Sequence, residues 1–204
     1  MEKLFKAIEI SARAHNGQKR KGENPPPYIC HPFFVGLLLL KLGYDEKVVS
    51  AGILHDVIED GFKNLKREDV ENIIKENFDD EILDLVKAQT EPKDPNMSKE
   101  EKIRTWEIRN QTKLEKLKNS SPEVRAISAV DLLSNLIELH LLFQSEGKQA
   151  TKYFNVDIKK KISFMEKQLE IFKNDKDAPY SQILPEIENY LQKIKKILED
   201  WENF

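Results

Sequence analysis

The chain contains few of the residues that mark several large protein classes. A single cysteine in 204 residues excludes a disulfide framework and a multi-cysteine zinc site. Seven glycines and nine prolines are too few for a collagen-like or a Pro/Gly-rich disordered protein. The 33 basic and 36 acidic residues nearly cancel, to a net charge of −3. We therefore expect neither a nucleic-acid partner nor an anionic membrane surface.

Long hydrophobic runs are also missing. The longest run, Phe33 to Leu40, has eight residues, whereas a bilayer-spanning helix needs about 20. The first residues, Met1 to Lys6, mix charged and apolar side chains and lack the apolar segment of a signal peptide. These features predict a cytoplasmic protein, and its 39% hydrophobic residues suffice for the core of one domain.

The pattern of apolar residues in the sequence is predominantly that of helices. Apolar residues recur at three- and four-residue intervals, and we find no run with the alternation of a strand. The prediction is a single all-α domain spanning residues 1–204. The helices are predicted over residues 3–16, 32–42, 45–60, 68–77, 80–89, 98–117, 121–145, 150–173 and 181–202, with loops that include 16–27 and 91–96.

The last two predicted helices are rich in lysine and glutamate but keep an apolar stripe. One interpretation is an antiparallel pair packed on the main body of the protein. The other is a hairpin that binds a partner or joins two copies of the chain, as a homo-oligomer formed through the C-terminal helices.

The segment from His55 to Asp60, His-Asp-Val-Ile-Glu-Asp, carries the clearest chemical signal. At about 100° per residue, its four polar side chains fall on one side of a helix and its apolar ones on the other. Three carboxylates held this close raise one another's pKa, and a divalent cation relieves that cost. Since an adjacent His-Asp pair is common, the segment alone leaves a metal site and an ordinary polar helix end both open.

Two further positions have the residue types of a metal site. His31 stands immediately before Pro32, at the expected start of a helix. Asp131 interrupts an otherwise apolar helical stretch, which is unfavourable unless the carboxylate meets a cation or several donors. A buried structural histidine and a helix-capping aspartate are the alternatives. His140 falls on the opposite side of its helix from Asp131, so we expect it at the edge of the core.

Taken together, the order His…His-Asp…Asp resembles the HD superfamily of metal-dependent phosphohydrolases, which are all-helical. Four stretches resemble more specifically the hydrolase domain of RelA/SpoT-type enzymes, which remove the 3′-pyrophosphate from ppGpp and pppGpp. They are residues 14–22, 27–32, 51–60 and 130–136. The resemblance covers residues 1–145, the motif-bearing core, and leaves 146–204 as a C-terminal helical extension. With no room for synthetase and regulatory domains, the chain is most similar to the small alarmone hydrolases.

The resemblance also implies a role for each matching residue. The metal, typically Mn²⁺ in this family, would be bound by His31, His55, Asp56 and Asp131. Glu59 and Asp60 match the catalytic acidic pair. Arg20 and Lys21 match the basic loop that holds the pyrophosphate, and Asn135 matches a position that contacts the nucleotide. The implied reaction is hydrolysis of guanosine-3′,5′-bis(diphosphate) by metal-bound water, with a small-molecule nucleotide as the partner.

Some positions depart from the family pattern. Ser128 and Leu132 stand where the family often has basic residues, and Gly61 replaces the usual threonine. These changes leave metal binding intact and put the substrate in doubt. Two alternatives therefore stay open: an HD phosphatase acting on a nucleoside monophosphate or NADPH, and a non-catalytic nucleotide-sensing module.

Overall fold

The computed structural model describes residues 1–90 and 97–203, apart from the side chain of Lys99. The described residues form helices and no strands, which confirms the predicted all-α fold. The α-helices are α1 (Glu2–Ala14), α2 (Cys30–Lys41), α3 (Glu46–Leu54), α4 (Val57–Asp60), α5 (Arg67–Asn77), α6 (Asp80–Gln89), α7 (Lys99–Arg104), α8 (Trp106–Lys118), α9 (Pro122–Glu146), α10 (Ile158–Phe172) and α11 (Leu184–Asp200). The predicted loop 91–96 lies outside the described residues.

Helix α9 forms the centre of the core. The Ser121 side chain caps its first turn and Pro122 occupies its first position, as the sequence predicts. It packs against α2, α3, α6, α10 and α11. With the following 3₁₀ turn, Pro122–Tyr153 is long and apolar enough to cross a membrane, but 56% of its most apolar window is buried inside the protein. Its buried residues make it a core helix of this domain.

Helices α2 and α3 form an antiparallel pair that approaches closely at two glycines. A Cβ atom on Gly36 would lie 2.3 Å from Cγ1 of Ile53, and one on Gly52 would lie 2.3 Å from Cδ1 of Leu39. Only glycine allows the two helices this separation. The close pairing brings the start of α2 beside the end of α3, where His31 and His55, two of the predicted metal ligands, are found.

We expect the substitution Gly52→Val to destabilise the fold by about 1–3 kcal/mol, because the added methyl groups overlap Leu39. Urea unfolding measures the loss. The matched control is a double-mutant cycle with Leu39→Ala, which removes the overlapping atoms and should make Gly52→Val less costly. An equal loss in both backgrounds would show that this contact is not the cause.

Two predicted helices are interrupted, each at a side chain that bonds to the backbone. The helix predicted over 45–60 is broken after Leu54, where His55 Nδ1 donates to the Gly52 carbonyl at 2.7 Å. The helix predicted over 98–117 is broken at Thr105, whose hydroxyl donates to the Glu101 carbonyl at 2.7 Å. Such bonds compete with the regular backbone hydrogen bonds of an α-helix.

The C-terminal extension contains less α-helix than predicted, and it packs on the main body of the protein. Gly147, with φ of 61°, ends α9, and residues 147–153 form a 3₁₀ turn rather than the start of a helix. A second 3₁₀ turn, Pro179–Ile183, precedes α11. The Tyr180 hydroxyl donates to Asp175 Oδ2 at 2.5 Å, and Asp175 also pairs with Arg125 of α9. Both C-terminal helices bury their apolar stripes, as the first interpretation predicts.

Candidate active site

Two buried histidines face each other where α2 begins and α3 ends. His31 is the second residue of α2, and His55 directly follows α3. Their side chains are 2% and 4% exposed, and their ring centroids lie 5.2 Å apart. The antiparallel pairing of the two helices therefore joins residues that are 24 positions apart in the chain.

Two carboxylates complete this cluster. Asp56 Oδ2 lies 3.3 Å from His55 Nε2 and 3.6 Å from His31 Nε2. Asp131 Oδ1, from α9, lies 3.1 Å from His31 Nε2 and 3.7 Å from His55 Nε2. The donor atoms of His31, His55 and Asp56 all fall within 4.8 Å of one another. The four residues predicted as ligands thus converge on one point.

His55 provides a test of whether this group suits a cation. Its Nδ1 donates to the Gly52 carbonyl, so Nε2 carries the lone pair in the neutral ring. That Nε2 atom is buried and makes no hydrogen bond of acceptable geometry, although Asp56 lies close to it. Burial lowers the pKa of His55, but Asp56 and Asp131 outweigh burial and raise it well above its ordinary value. The site therefore attracts positive charge.

The donor set fits a divalent cation. Two imidazole nitrogens and two carboxylate oxygens suit a divalent transition metal. Burial would raise the pKa of Asp56, yet His55 holds it below its ordinary value, so the carboxylate is ionised and ready to bind. The residues present can hold a metal ion, and nothing about the set selects one metal over another.

Polar neighbours orient three of these four side chains. The Tyr28 hydroxyl donates to Asp56 Oδ2 at 2.7 Å. Asn135 Nδ2 donates to Asp131 Oδ1 at 2.6 Å, and Ser134 Oγ forms a hydrogen bond of 2.8 Å with His31 Nδ1. Bonds of this kind fix the orientation of metal-binding groups.

Sequence reasoning assigned no role to Tyr28 or Ser134. Burial, followed by the charge of Asp56, raises the pKa of Tyr28, which keeps the phenol protonated as a donor. The available signal was position alone: Tyr28 comes three residues before His31, and Ser134 three residues after Asp131.

We expect Tyr28→Phe to weaken Mn²⁺ binding by about 10- to 100-fold, the usual cost of losing such an orienting bond. Phenylalanine retains the ring that stacks on His15 at 4.6 Å, so only the hydroxyl is lost. Isothermal titration calorimetry with Mn²⁺ measures the effect. Tyr44→Phe, whose hydroxyl accepts from the Tyr180 amide far along the chain, is the control. Equal affinities of the Tyr28 variant and the wild type would refute the orienting role.

Glu59 and Asp60 follow the cluster in the single turn of α4. Glu59 is half-buried and Asp60 is exposed. Gln18 Nε2 donates to the Asp60 carbonyl at 2.7 Å, so the end of α4 is tied to the loop that carries Arg20 and Lys21. Partial burial, and next the charge of Arg20, lowers the pKa of Lys21, while the charges of Glu138 and then Asp60 oppose this shift. The structure therefore places this acidic pair beside the basic loop.

Arg20 lies within a network of hydrogen bonds that leads to Asp131. Its Nη2 donates to Asn135 Oδ1 at 2.9 Å, and Asn135 in turn donates to Asp131. Its Nε donates to Glu138 Oε2 at 2.5 Å, and its guanidinium lies 5.0 Å from the centre of the Tyr28 ring. Glu138, a partner that sequence reasoning missed, neutralises much of the Arg20 charge.

Comparison with known proteins identifies the class. A family model described as an HD domain matches residues 7–155, and the chain belongs to this family. Among curated proteins, the chain is 27% identical over 205 residues to a guanosine-3′,5′-bis(diphosphate) 3′-pyrophosphohydrolase of Aquifex aeolicus, covering 98% of this chain and 27% of that protein. It is 30% identical over 141 residues to the pyrophosphohydrolase MESH1 of Drosophila melanogaster, covering 68% of this chain and 70% of MESH1.

A solved structure is similar over nearly the whole fold. It belongs to a metazoan ortholog of SpoT that hydrolyses ppGpp; the TM-score is 0.66 at 25% identity, covering 92% of this chain and 94% of the other. The chain spans about a quarter or less of the length of the first curated relatives that it matches.

Proposed function

We propose that this chain is a metal-dependent phosphohydrolase, specifically a guanosine-3′,5′-bis(diphosphate) 3′-pyrophosphohydrolase. The observation that carries the proposal is the convergence of His31, His55, Asp56 and Asp131 around the buried Nε2 atom of His55, which makes no hydrogen bond. The names of the relatives in Aquifex and Drosophila and of the similar solved structure support this substrate.

The four converging residues are the proposed metal ligands, and Mn²⁺ is the proposed metal. A divalent cation held by these residues would lower the pKa of a water molecule and neutralise charge on a phosphate group. Tyr28, Ser134 and Asn135 hold three of the ligands in place. Their bonds restrict the orientation of Asp56, His31 and Asp131.

Glu59 and Asp60 are the proposed proton-transfer groups. One of these carboxylates takes a proton from the attacking water, and the leaving 3′-oxygen receives one as its bond to phosphorus breaks. Glu59 lies four residues beyond His55, on the same side of an almost continuous helical path. This spacing supports a place for Glu59 near the proposed metal ligands.

Lys21, Arg20 and Asn135 are the proposed substrate contacts. A polyanionic nucleotide would be repelled by the local carboxylates unless basic groups reverse the field. Lys21 is exposed beside the site and available for the pyrophosphate. Arg20, already paired with Glu138, contributes more by orienting Asn135 than by its net charge.

The test is product release from a panel of nucleotides with added Mn²⁺. We expect pyrophosphate from ppGpp and pppGpp. Orthophosphate from a nucleoside monophosphate or NADPH would instead support the second candidate, an HD phosphatase. That candidate is favoured by Ser128, which bonds to Gln89 at 2.8 Å where the family often has a basic residue. A folded, metal-loaded protein with no turnover would leave a nucleotide sensor.

The remaining expectations belong to the same proposal. We propose one domain over residues 1–204, a cytoplasmic location, no nucleic-acid or membrane partner, and a homo-oligomer formed through the C-terminal helices. The near-neutral net charge supports the absence of a nucleic-acid partner. Because α10 and α11 bury their apolar stripes within the chain, an oligomer would use their exposed charged faces, and sedimentation at low and high salt tests it.

A further inference from the structure

A cavity of about 400 Å³ lies between helices α6, α8, α9 and α10. Pockets of this size commonly enclose a small organic ligand. None of the described residues that line it is a proposed metal ligand, proton-transfer group or substrate contact. The proposed function therefore leaves this cavity without a role.

The side-chain amide of Gln168, from α10, opens into this cavity. Gln168 is only 7% exposed, yet its amide makes no hydrogen bond to any residue that the structure describes. Neither of its polar atoms is fully enclosed by protein, so both remain accessible from the cavity. A buried amide without a partner is unfavourable for the fold. A ligand that bonds to Gln168 would remove this cost.

The charge around the cavity is positive. Its lining includes four basic side chains, and none of the described lining residues is acidic; the four are Lys87, Arg109, Lys113 and Lys116. Lys87 pairs with Glu71 at 3.4 Å. Within residues 1–90 and 97–203, Lys113 and Lys116 form no ion pair. Two ammonium groups are therefore available to an anionic group of a ligand.

Apolar side chains form much of the remaining wall. Leu117 and Val124 are buried, whereas Ile108 is 71% exposed. A flat ring in the cavity would lie against these side chains and cover part of Ile108. The lining thus fits a ligand that joins a ring with a hydrogen-bonding edge to an anionic group, as a nucleotide does.

The amide of Gln168 distinguishes between the purine bases. It donates from nitrogen and accepts at oxygen, which matches the N7 acceptor and the N6 amino donor of adenine. Guanine presents two acceptors on the same edge, which suit arginine or lysine instead. We propose that this cavity is a second ligand site, separate from the metal cluster, that binds an adenine nucleotide with its base at Gln168 and its phosphate at Lys113 and Lys116.

The experiment is calorimetric titration of the full chain with AMP, GMP and adenosine, with and without Mn²⁺. We expect AMP to bind more tightly than the other two, with an affinity that does not depend on Mn²⁺. Gln168→Leu should weaken AMP binding about tenfold, the usual effect of losing a hydrogen bond. Its melting temperature should be unchanged or higher, because an unpartnered amide is lost. The double variant Lys113→Met, Lys116→Met should weaken AMP binding about tenfold or more and leave adenosine binding unchanged.

Two control variants define where the nucleotide binds. Lys118→Met removes an exposed lysine of α8 that does not line the cavity, and it should leave AMP affinity unchanged, as should Asn135→Ala. AMP binding that is lost in Asn135→Ala and retained in Gln168→Leu would place the nucleotide at the metal site and overturn the proposal. A folded wild type that binds no AMP, or that binds GMP equally well, also overturns it. A lower melting temperature of Gln168→Leu would show that the amide serves the fold and would contradict its assignment as a ligand contact.

Discussion

Replacing His55 by alanine is expected to reduce pyrophosphate release from ppGpp by about a thousandfold or more and to remove most of the affinity for Mn²⁺. The metal's Lewis acidity contributes several kcal/mol to such a reaction, and each 1.36 kcal/mol is a factor of about ten in rate. Among the proposed ligands, His55 is the one whose loss should have the largest effect, because its Nε2 atom is buried and lies close to both carboxylates.

Two measurements are needed, because His55 is also a buried residue. Calorimetric titration with Mn²⁺ gives the metal affinity, and circular dichroism reports whether the helices are retained. His140→Ala is the matched control: this half-buried histidine of α9 lies beside Tyr190, with ring centroids 5.5 Å apart. A folded His55→Ala variant with wild-type metal affinity would contradict the assignment of His55 as a ligand.

Most of the fold could be predicted because the helices obey local rules. Asp45, Ser98 and Ser121 cap the helices that follow them, and each cap is readable from the sequence. The interruptions were not readable in this way. Whether Thr105 bonds to its own backbone, or the chain after Gly147 tightens into a 3₁₀ turn, depends on local competition that periodicity does not report.

The candidate site was likewise predictable only in part. His31, His55, Asp56 and Asp131 were predicted from residue type and order, and the structure brings them together; their roles as ligands stay a prediction. The contacts of His31 with Ser134 and of Arg20 with Glu138 were not predictable, because these partners are remote in sequence. Ser134 is 103 residues from His31, and Glu138 is 118 residues from Arg20. An unremarkable serine or glutamate gives no sign of such a contact.

The surroundings of Lys161 are likewise not predictable from the sequence. In the sequence it is one of three consecutive lysines on a highly charged helix, Lys159 to Lys161. The first two are exposed and pair with Glu202 and Glu107. The third is half-buried and lines a small cavity together with Lys21. Only the packing of α10 on α9 distinguishes it from its neighbours.

Glu59→Gln is expected to separate metal binding from catalysis. The variant should bind Mn²⁺ with wild-type affinity and release pyrophosphate from ppGpp about 10²- to 10⁴-fold more slowly, the usual contribution of a general acid or base. Glutamine matches glutamate in size, so α4 and its tie to the basic loop should persist. The effect should appear in kcat, because a proton transfer is made only in the transition state.

Glu76→Gln, an exposed glutamate of α5, is the control for the loss of one negative charge. Reduced Mn²⁺ affinity in the Glu59 variant would make Glu59 a ligand rather than a proton-transfer group, and an unchanged kcat would leave that role to Asp60. Together with His55→Ala, the variant distinguishes two causes of inactivity. If His55→Ala loses both metal and turnover while Glu59→Gln loses turnover alone, the cluster holds the metal and α4 moves the proton.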